Sequence, residues 1–340
     1  MGSGAAGTGP FKIVNFDTST YSVRLEAFEQ YWGGTPQIKN VLFRNNKDPQ
    51  ARFEALKSGQ ADIVDDLARN QWSEVTGDFR LVSFWAPNIC YLGMNCKHEK
   101  TKEKAIREAI RLAIDQNELL PLYNNTARPN YSMLPQTFVE YDANYRAPGL
   151  LADMETRRTE AKKLLESAGA LGREIKISHP KDDRPYLPGP SKIADKIKQQ
   201  LNAVGFKAIA NGVKNDEFFR QVSLGVYELI LIGWMSDNGD PDNFYGPLTD
   251  GDDSGKPSFN NTSCSMDMKV HEMLRAAQLA TDDATRISIY RNVERRLQEE
   301  VAGYVPLVNT QQAIALGKRI EGVVVDSLGM YYLSSAKFRK

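Results

Sequence analysis

Three carboxylates fall within six residues, at Asp237, Asp240 and Asp242, in the run Ser236-Asp237-Asn238-Gly239-Asp240-Pro241-Asp242-Asn243. Asn and Asp favour turns, and Gly and Pro stop regular elements, so the run reads as a loop. Such a cluster could receive a cationic group, an ammonium above all, or share protons in general acid–base work. On composition alone a solvated turn is the commoner reading of such a run. A second charge of interest stands 53 residues upstream, Arg184 in Arg184-Pro185-Tyr186. A guanidinium presents a planar fork that matches a carboxylate with two hydrogen bonds. A carboxylate and a guanidinium at fixed separation would clamp the two ends of a zwitterion, and so measure ligand length while tolerating many side chains. Aromatics surround both charges: Trp234, Phe244 and Tyr245 near the carboxylates, and Tyr186 beside Arg184. Phe244 reads as core. Trp234 fits either core or a wall against ligand side chains.

Other chemistries lack their residues. His98, His179 and His271 lie far apart, with no HExxH or CxxC spacing, so neither a metal nor any other cofactor is expected. Asp250-Gly251-Asp252-Asp253-Ser254-Gly255 imitates the start of a calcium loop, but Asn261 stands where a bidentate Glu belongs. No G-x-S-x-G elbow is present, and Gly2, Gly4, Gly7 and Gly9 precede a strand instead of opening a helix. Lys plus Arg equal Asp plus Glu at 43 each, so no net basic field recruits nucleic acid. No apolar run approaches the roughly 20 residues of a membrane span. Of the cysteines Cys90, Cys96 and Cys264, one pair at most can bridge, and Cys90 with Cys96 would need a turn between them.

The elements that must carry the two charges are legible around them. Leu229-Ile230-Leu231-Ile232 is a short β-branched run, as in a strand buried on both faces, and it leads straight into the acidic loop. Strand 175–177 precedes Arg184; helix 191–204, strand 206–213 and helix 216–224 then lead back to the apolar run. This alternation predicts a parallel βαβ core, and ligands bind outside the carboxyl ends of strands in such sheets. Upstream, strands are expected at 11–16, 23–27, 41–44, 62–64 and 79–85, and a helix at 48–59 with Pro49 near its start. Ala105, Ile106, Ala109, Ile110, Ala113 and Ile114 form one helical stripe, and a helix-like ELLPLY stretch follows Asn117. Residues 124–148 have no period and read as a lid or connecting loop. Further helices are expected at 156–168, 266–280 and 282–302, and strands at 304–308, 323–328 and 331–333.

The stretch GWMSDNGDPDNF, with the upstream RPY, resembles the signature of periplasmic dipeptide-binding proteins of ABC importers, within the extracellular solute-binding proteins of family five. The likeness extends to Tyr31-Trp32-Gly33-Gly34 and to Gly7-Thr8-Gly9-Pro10-Phe11, and runs from about Gly7 to the last residues. It implies an α/β chain of two lobes, the type II (cluster C) periplasmic-binding architecture, with the family's N-terminal segment missing and residues 1–6 a leader. The lobes would be residues 7–90 with 310–340, and residues 91–309, closing on ligand by hinge motion. The resemblance assigns Asp237 to a peptide's α-amino group and Arg184 to its carboxylate, with Trp234, Tyr186, Asn238 and Gly239 completing the site. It implies a receptor and not an enzyme, periplasmic or otherwise extracytoplasmic, that binds dipeptides or short peptides and hands them to ABC permease subunits, its only link to the membrane. Haem, nickel chelates, glutathione and antimicrobial peptides are the family's other ligands. The rival is a hydrolase using Asp237, Asp240 and Asp242 as acid–base groups, for which the sequence supplies no paired carboxylate.

Overall fold

A computed structural model describes residues 7–339; the leader assigned to residues 1–6 lies outside them. The chain forms two compact units, one running up to Phe84 and resuming at Gln312, the other Trp85–Gln311.

The first unit opens with an antiparallel meander of β1 (Phe11–Asp17), β2 (Ser22–Ala27) and β3 (Asn40–Arg44). Helix α1 (Pro49–Lys57) starts as its sequence predicts: Asp48 accepts the Gln50 amide at 2.9 Å, and Pro49 takes the first helical position. It buries Phe53 and Leu56 in a small cluster with Val64 of β4 (Ile63–Asp65) and Leu67. Strand β5 (Arg80–Trp85) closes this part of the chain.

The second unit holds the larger core. Its sheet is built from β6 (Asn88–Met94), β7 (Ala127–Pro129), β8 (Glu174–Pro180), β9 (Lys207–Val213), β10 (Leu229–Met235) and the start of β11 (Tyr304–Leu316), in the order β11-β6-β10-β8-β9, with β7 on the other edge of β11. The predicted parallel core exists as β10-β8-β9. The sheet as a whole is mixed, because β10 pairs antiparallel with β6, and β6 with β11. The apolar run of β10 is buried on both faces. Leu229 and Leu231 join α2 (Lys104–Ala113) and α4 (Pro190–Ala203) in one cluster, through Ile106, Ile110, Ile193 and Ile197. Ile230 and Ile232 join the other, with Phe218 of α5 (Asn215–Leu224), Phe244 of α6 (Asp242–Thr249), Leu274 of α7 (Met268–Leu279) and Val293 of α8 (Asp283–Arg296). Helix α3 (Met154–Ser167) adds Ala161 and Leu165 to the first cluster.

Two alternatives that the sequence leaves open are decided by the structure. The segment 124–148 is a packed connection and not a free lid: β7 pairs with Val308, Asn309 and Thr310, and Asn130, Met133 and Leu134 are buried. A Cys90–Cys96 bridge is absent, all three cysteines being free, because Cys90 lies in extended β6 and the strand carries Cys96 away from it. No helix among the described residues is long and apolar enough to cross a membrane. The end of β11 already belongs to the first unit, where Ile314 and Leu316 form a further small cluster with Ile38, Ile320 and Ala336. The predicted strands 323–328 and 331–333 shrink to paired dipeptides, Val324–Val325 with Tyr331–Tyr332.

Candidate functional site

Strands β8 and β10 are parallel neighbours, so the loops that follow them leave the same, carboxyl end of these strands. Arg184 follows β8 and Asp237 follows β10, and each strand delivers one charge to that end.

The acidic loop is shaped by its uncharged members. Ser236 donates its amide to Pro87 O at 2.9 Å, and its hydroxyl accepts the amides of Asn238 and Gly239 at 3.4 and 2.8 Å. Gly239 has φ of +72°, a left-handed conformation that an L side chain rarely adopts. Asn238 accepts the Asp240 amide at 3.0 Å, and Asn243 accepts both the Trp234 indole N–H and the Asp237 amide at 3.2 Å. Asn238 and Gly239 are therefore builders of the turn.

The three carboxylates have different fates. Asp240 is paired by Arg286 Nη2, at 2.8 Å to each carboxylate oxygen, and its Oδ1 also accepts the Asp242 amide at 2.8 Å. Asp242 sits in the first turn of α6 and accepts from Gln278 at 3.1 Å. The carboxylate of Asp237 is exposed and has no hydrogen bond or ion pair among the described residues. The fold thus leaves one carboxylate of the cluster available to an outside cation.

Arg184 is the matching free cation. Its backbone bridges to Leu187, and its guanidinium lies 4.9 Å over the ring of Phe219. Its Nε is buried without a hydrogen-bond partner, and the group makes no ion pair among the described residues. Tyr186 packs against Gly233 so closely that a Cβ there would lie 2.4 Å from its ring. Burial pushes its phenol up to about 12, against the opposing pull of the Arg184 charge.

A pocket of about 270 Å³ opens beside Tyr186 and Asp237. Tyr186, Phe219, Ile232, Trp234 and Met235 wall it, and Asp237 is among its lining residues. Trp234 is half-buried, tied to Asn243 by its N–H, so it serves as both wall and brace. Phe244 is fully buried core. Arg184 does not line the pocket itself; it reaches it through Phe219. Phe219 escaped the sequence reading. Its signal was there: in the pair Phe218-Phe219, Phe218 takes the buried face of α5 and leaves Phe219 outward, 42% exposed.

The acidic loop 250–255 is anchored internally. Asp250 is buried and held by His271 Nδ1 at 2.9 Å, and His271 Nε2 lies 3.2 Å from Asp253. No group of three or more His, Cys, Asp or Glu among the described residues is arranged to hold a metal ion.

Residues 2–256 match the family model described as bacterial extracellular solute-binding proteins, family 5 middle. The chain is 23% identical over 336 residues to a dipeptide-binding protein of Escherichia coli K12, covering 97% of this chain and 60% of that one. It is 26% identical over 326 residues to a probable ABC transporter periplasmic-binding protein, SapA, of the same organism, covering 95% and 58%. The chain therefore spans about three-fifths of the length of these relatives. Among solved structures it is similar to HbpA2 from Haemophilus parasuis, with a TM-score of 0.80 at 25% identity over 98% of this chain and 64% of that one.

Proposed function

Because this chain belongs to the bacterial extracellular solute-binding proteins of family 5, a family of binding proteins and not of enzymes, we propose that it captures dipeptides or short peptides for an ABC importer. Asp237 receives the ligand's α-ammonium and Arg184 its carboxylate. The observation that carries this reading is the pair of unspent opposite charges after adjacent parallel strands, with an apolar pocket between aromatic walls beside them. Each charge is costly to desolvate alone, and the zwitterion supplies both counter-charges at once. Trp234, Tyr186 and Phe219 accept the side chains, which suits a site that reads peptide ends. The protein works outside the cytoplasm and meets the membrane through the importer's permease subunits.

Calorimetry with free and end-blocked dipeptides tests it. Asp237→Asn should weaken binding by about 2–5 kcal/mol, the usual loss when one member of a desolvated charge pair is removed. An N-acetylated dipeptide should lose as much against the native protein and little more against the variant. Arg184→Lys keeps the charge but loses the fork, so free peptides should weaken while C-terminally amidated ones are indifferent to it. If blocked and unblocked peptides bind alike, the end-reading roles are wrong. Haem, a nickel chelate and glutathione run in the same cell distinguish the other ligand classes.

A further inference from the structure

A second unspent guanidinium stands towards the same end of this sheet. Arg128, on β7, donates Nε to the Asn309 side chain at 2.9 Å and lies 4.3 Å over the ring of Trp85. Asn309 is itself fully buried and fixed, its amide donating to Ala86 O and Asn88 O at 2.8 Å each. The guanidinium is thus held on two sides, yet it makes no ion pair among the described residues and its two Nη groups make no hydrogen bond there. A half-buried cation with four idle donors, pre-positioned by an aromatic face and a buried amide, is a receptor for an anion.

Its place in the sheet says which part of a ligand it would meet. Arg128 is opposite Asn309 in register, the Thr310 amide bonds the Asn88 side chain at 3.0 Å, and Asn88 is opposite Met235, two residues before Asp237. The Thr310 hydroxyl also touches Pro185 O at 3.3 Å, next to Arg184. Across the sheet the order is β7, β11, β6, β10, β8, so Arg128 lies on the Asp237 side and Arg184 on the far side. From β7 to β10 is three strand spacings, roughly 14 Å. An extended dipeptide spans only about 7 Å, so its backbone cannot bridge from Arg184 to Arg128. An acidic side chain on the first residue, reaching away from an ammonium held by Asp237, meets the long arm of Arg128 part-way.

We propose that Arg128 is a specificity residue that selects peptides whose first residue carries a carboxylate side chain. This rests on the peptide-end reading above. The test is calorimetry of Glu-Ala against Gln-Ala, a pair differing in one charge, on the native protein and on Arg128→Gln and Arg128→Lys. Native protein should prefer Glu-Ala by about tenfold, as a charge-assisted hydrogen bond does. Arg128→Gln should bring Glu-Ala down to the level of Gln-Ala, and Arg128→Lys should keep part of the preference. Native protein that binds both peptides equally overturns this proposal and leaves the end-reading roles standing. So does Arg128→Gln weakening both by the same factor, which marks a structural role. Native protein that binds neither peptide overturns the peptide reading and this proposal with it.

Discussion

Which of three clustered carboxylates is free is decided by residues far away in sequence. Arg286 takes Asp240 and Gln278 takes Asp242, both from helices later in the chain, so composition and spacing alone do not separate the three carboxylates, and in the sequence only the resemblance distinguished Asp237. The sequence pointed to the loop and to Arg184 through the local run and the RPY segment, but it could not show which charges the fold consumes. Phe219 was likewise hidden, because its role depends on Arg184 lying over its ring. Gly233 makes the clearest prediction at this scale. A Cβ there would lie 2.2 Å from Ile89 O and 2.4 Å from Tyr186 Cδ2, contacts that backbone and a packed ring cannot relieve cheaply. Gly233→Ala should therefore lower stability by about 1–3 kcal/mol, the usual cost of overpacking, and weaken peptide binding by displacing Tyr186. Gly246→Ala in α6, whose nearest neighbour would be 3.7 Å from the new Cβ, is the control and should be neutral or stabilising. Thermal unfolding of both variants decides it; equal midpoints would mean that Tyr186 does not need the space Gly233 leaves.

Helices with a stripe of apolar residues were legible because burial follows the 3.6-residue period, as in α2 and α4. Helix α6 was missed because it starts inside the acidic run, directly after Pro241, and carries Pro247 within it. The short β7 was missed because three residues carry no period, and only its pairing with β11 defines it. Helix α8 shows what an element does beyond its stripe. From it, Glu294 reaches a fully buried position and accepts from Tyr245 Oη at 2.8 Å, Ser132 Oγ at 2.9 Å, the Met133 amide at 3.0 Å and Gln298 at 2.9 Å. It thereby ties α6 and the 130–134 segment to α8. Burial raises its pKa above the ordinary carboxylate value in spite of those hydrogen bonds. A carboxyl with a raised folded pKa adds stability in full below its unfolded value of about 4.3, and that contribution is lost as pH rises through the folded value. Glu294→Gln keeps the shape and an acceptor while removing the titration. Urea unfolding across a pH series should show native protein losing stability relative to the variant as pH rises from about 4 towards neutrality. A difference that is flat, or that runs the other way, would mean the carboxylate is better solvated by its four donors than its burial implies.

Stability should be unevenly spread over the whole molecule, because apolar burial is. The unit Trp85–Gln311 contains both large clusters, which meet on the two faces of β10. Among the described residues the other unit has only small clusters, around α1 and the end of β11, and its β1-β2-β3 meander leaves Ile13, Val14, Phe16 and Leu42 half exposed. Segments with few buried apolar contacts open locally at low free-energy cost, whereas core strands exchange only near global unfolding. Hydrogen exchange followed by mass spectrometry should therefore show the amides of β1, β2 and β3 exchanging orders of magnitude faster than those of β6 and β10. A dipeptide at saturating concentration should add protection in the second unit, at 184–187 and 233–243, since the candidate site lies wholly within Trp85–Gln311. Exchange in the meander as slow as in β10 would show that its exposed apolar face is better protected than its burial suggests. Protection confined to the first unit on adding peptide would remove the ligand from the end of the sheet that Asp237 and Arg184 share.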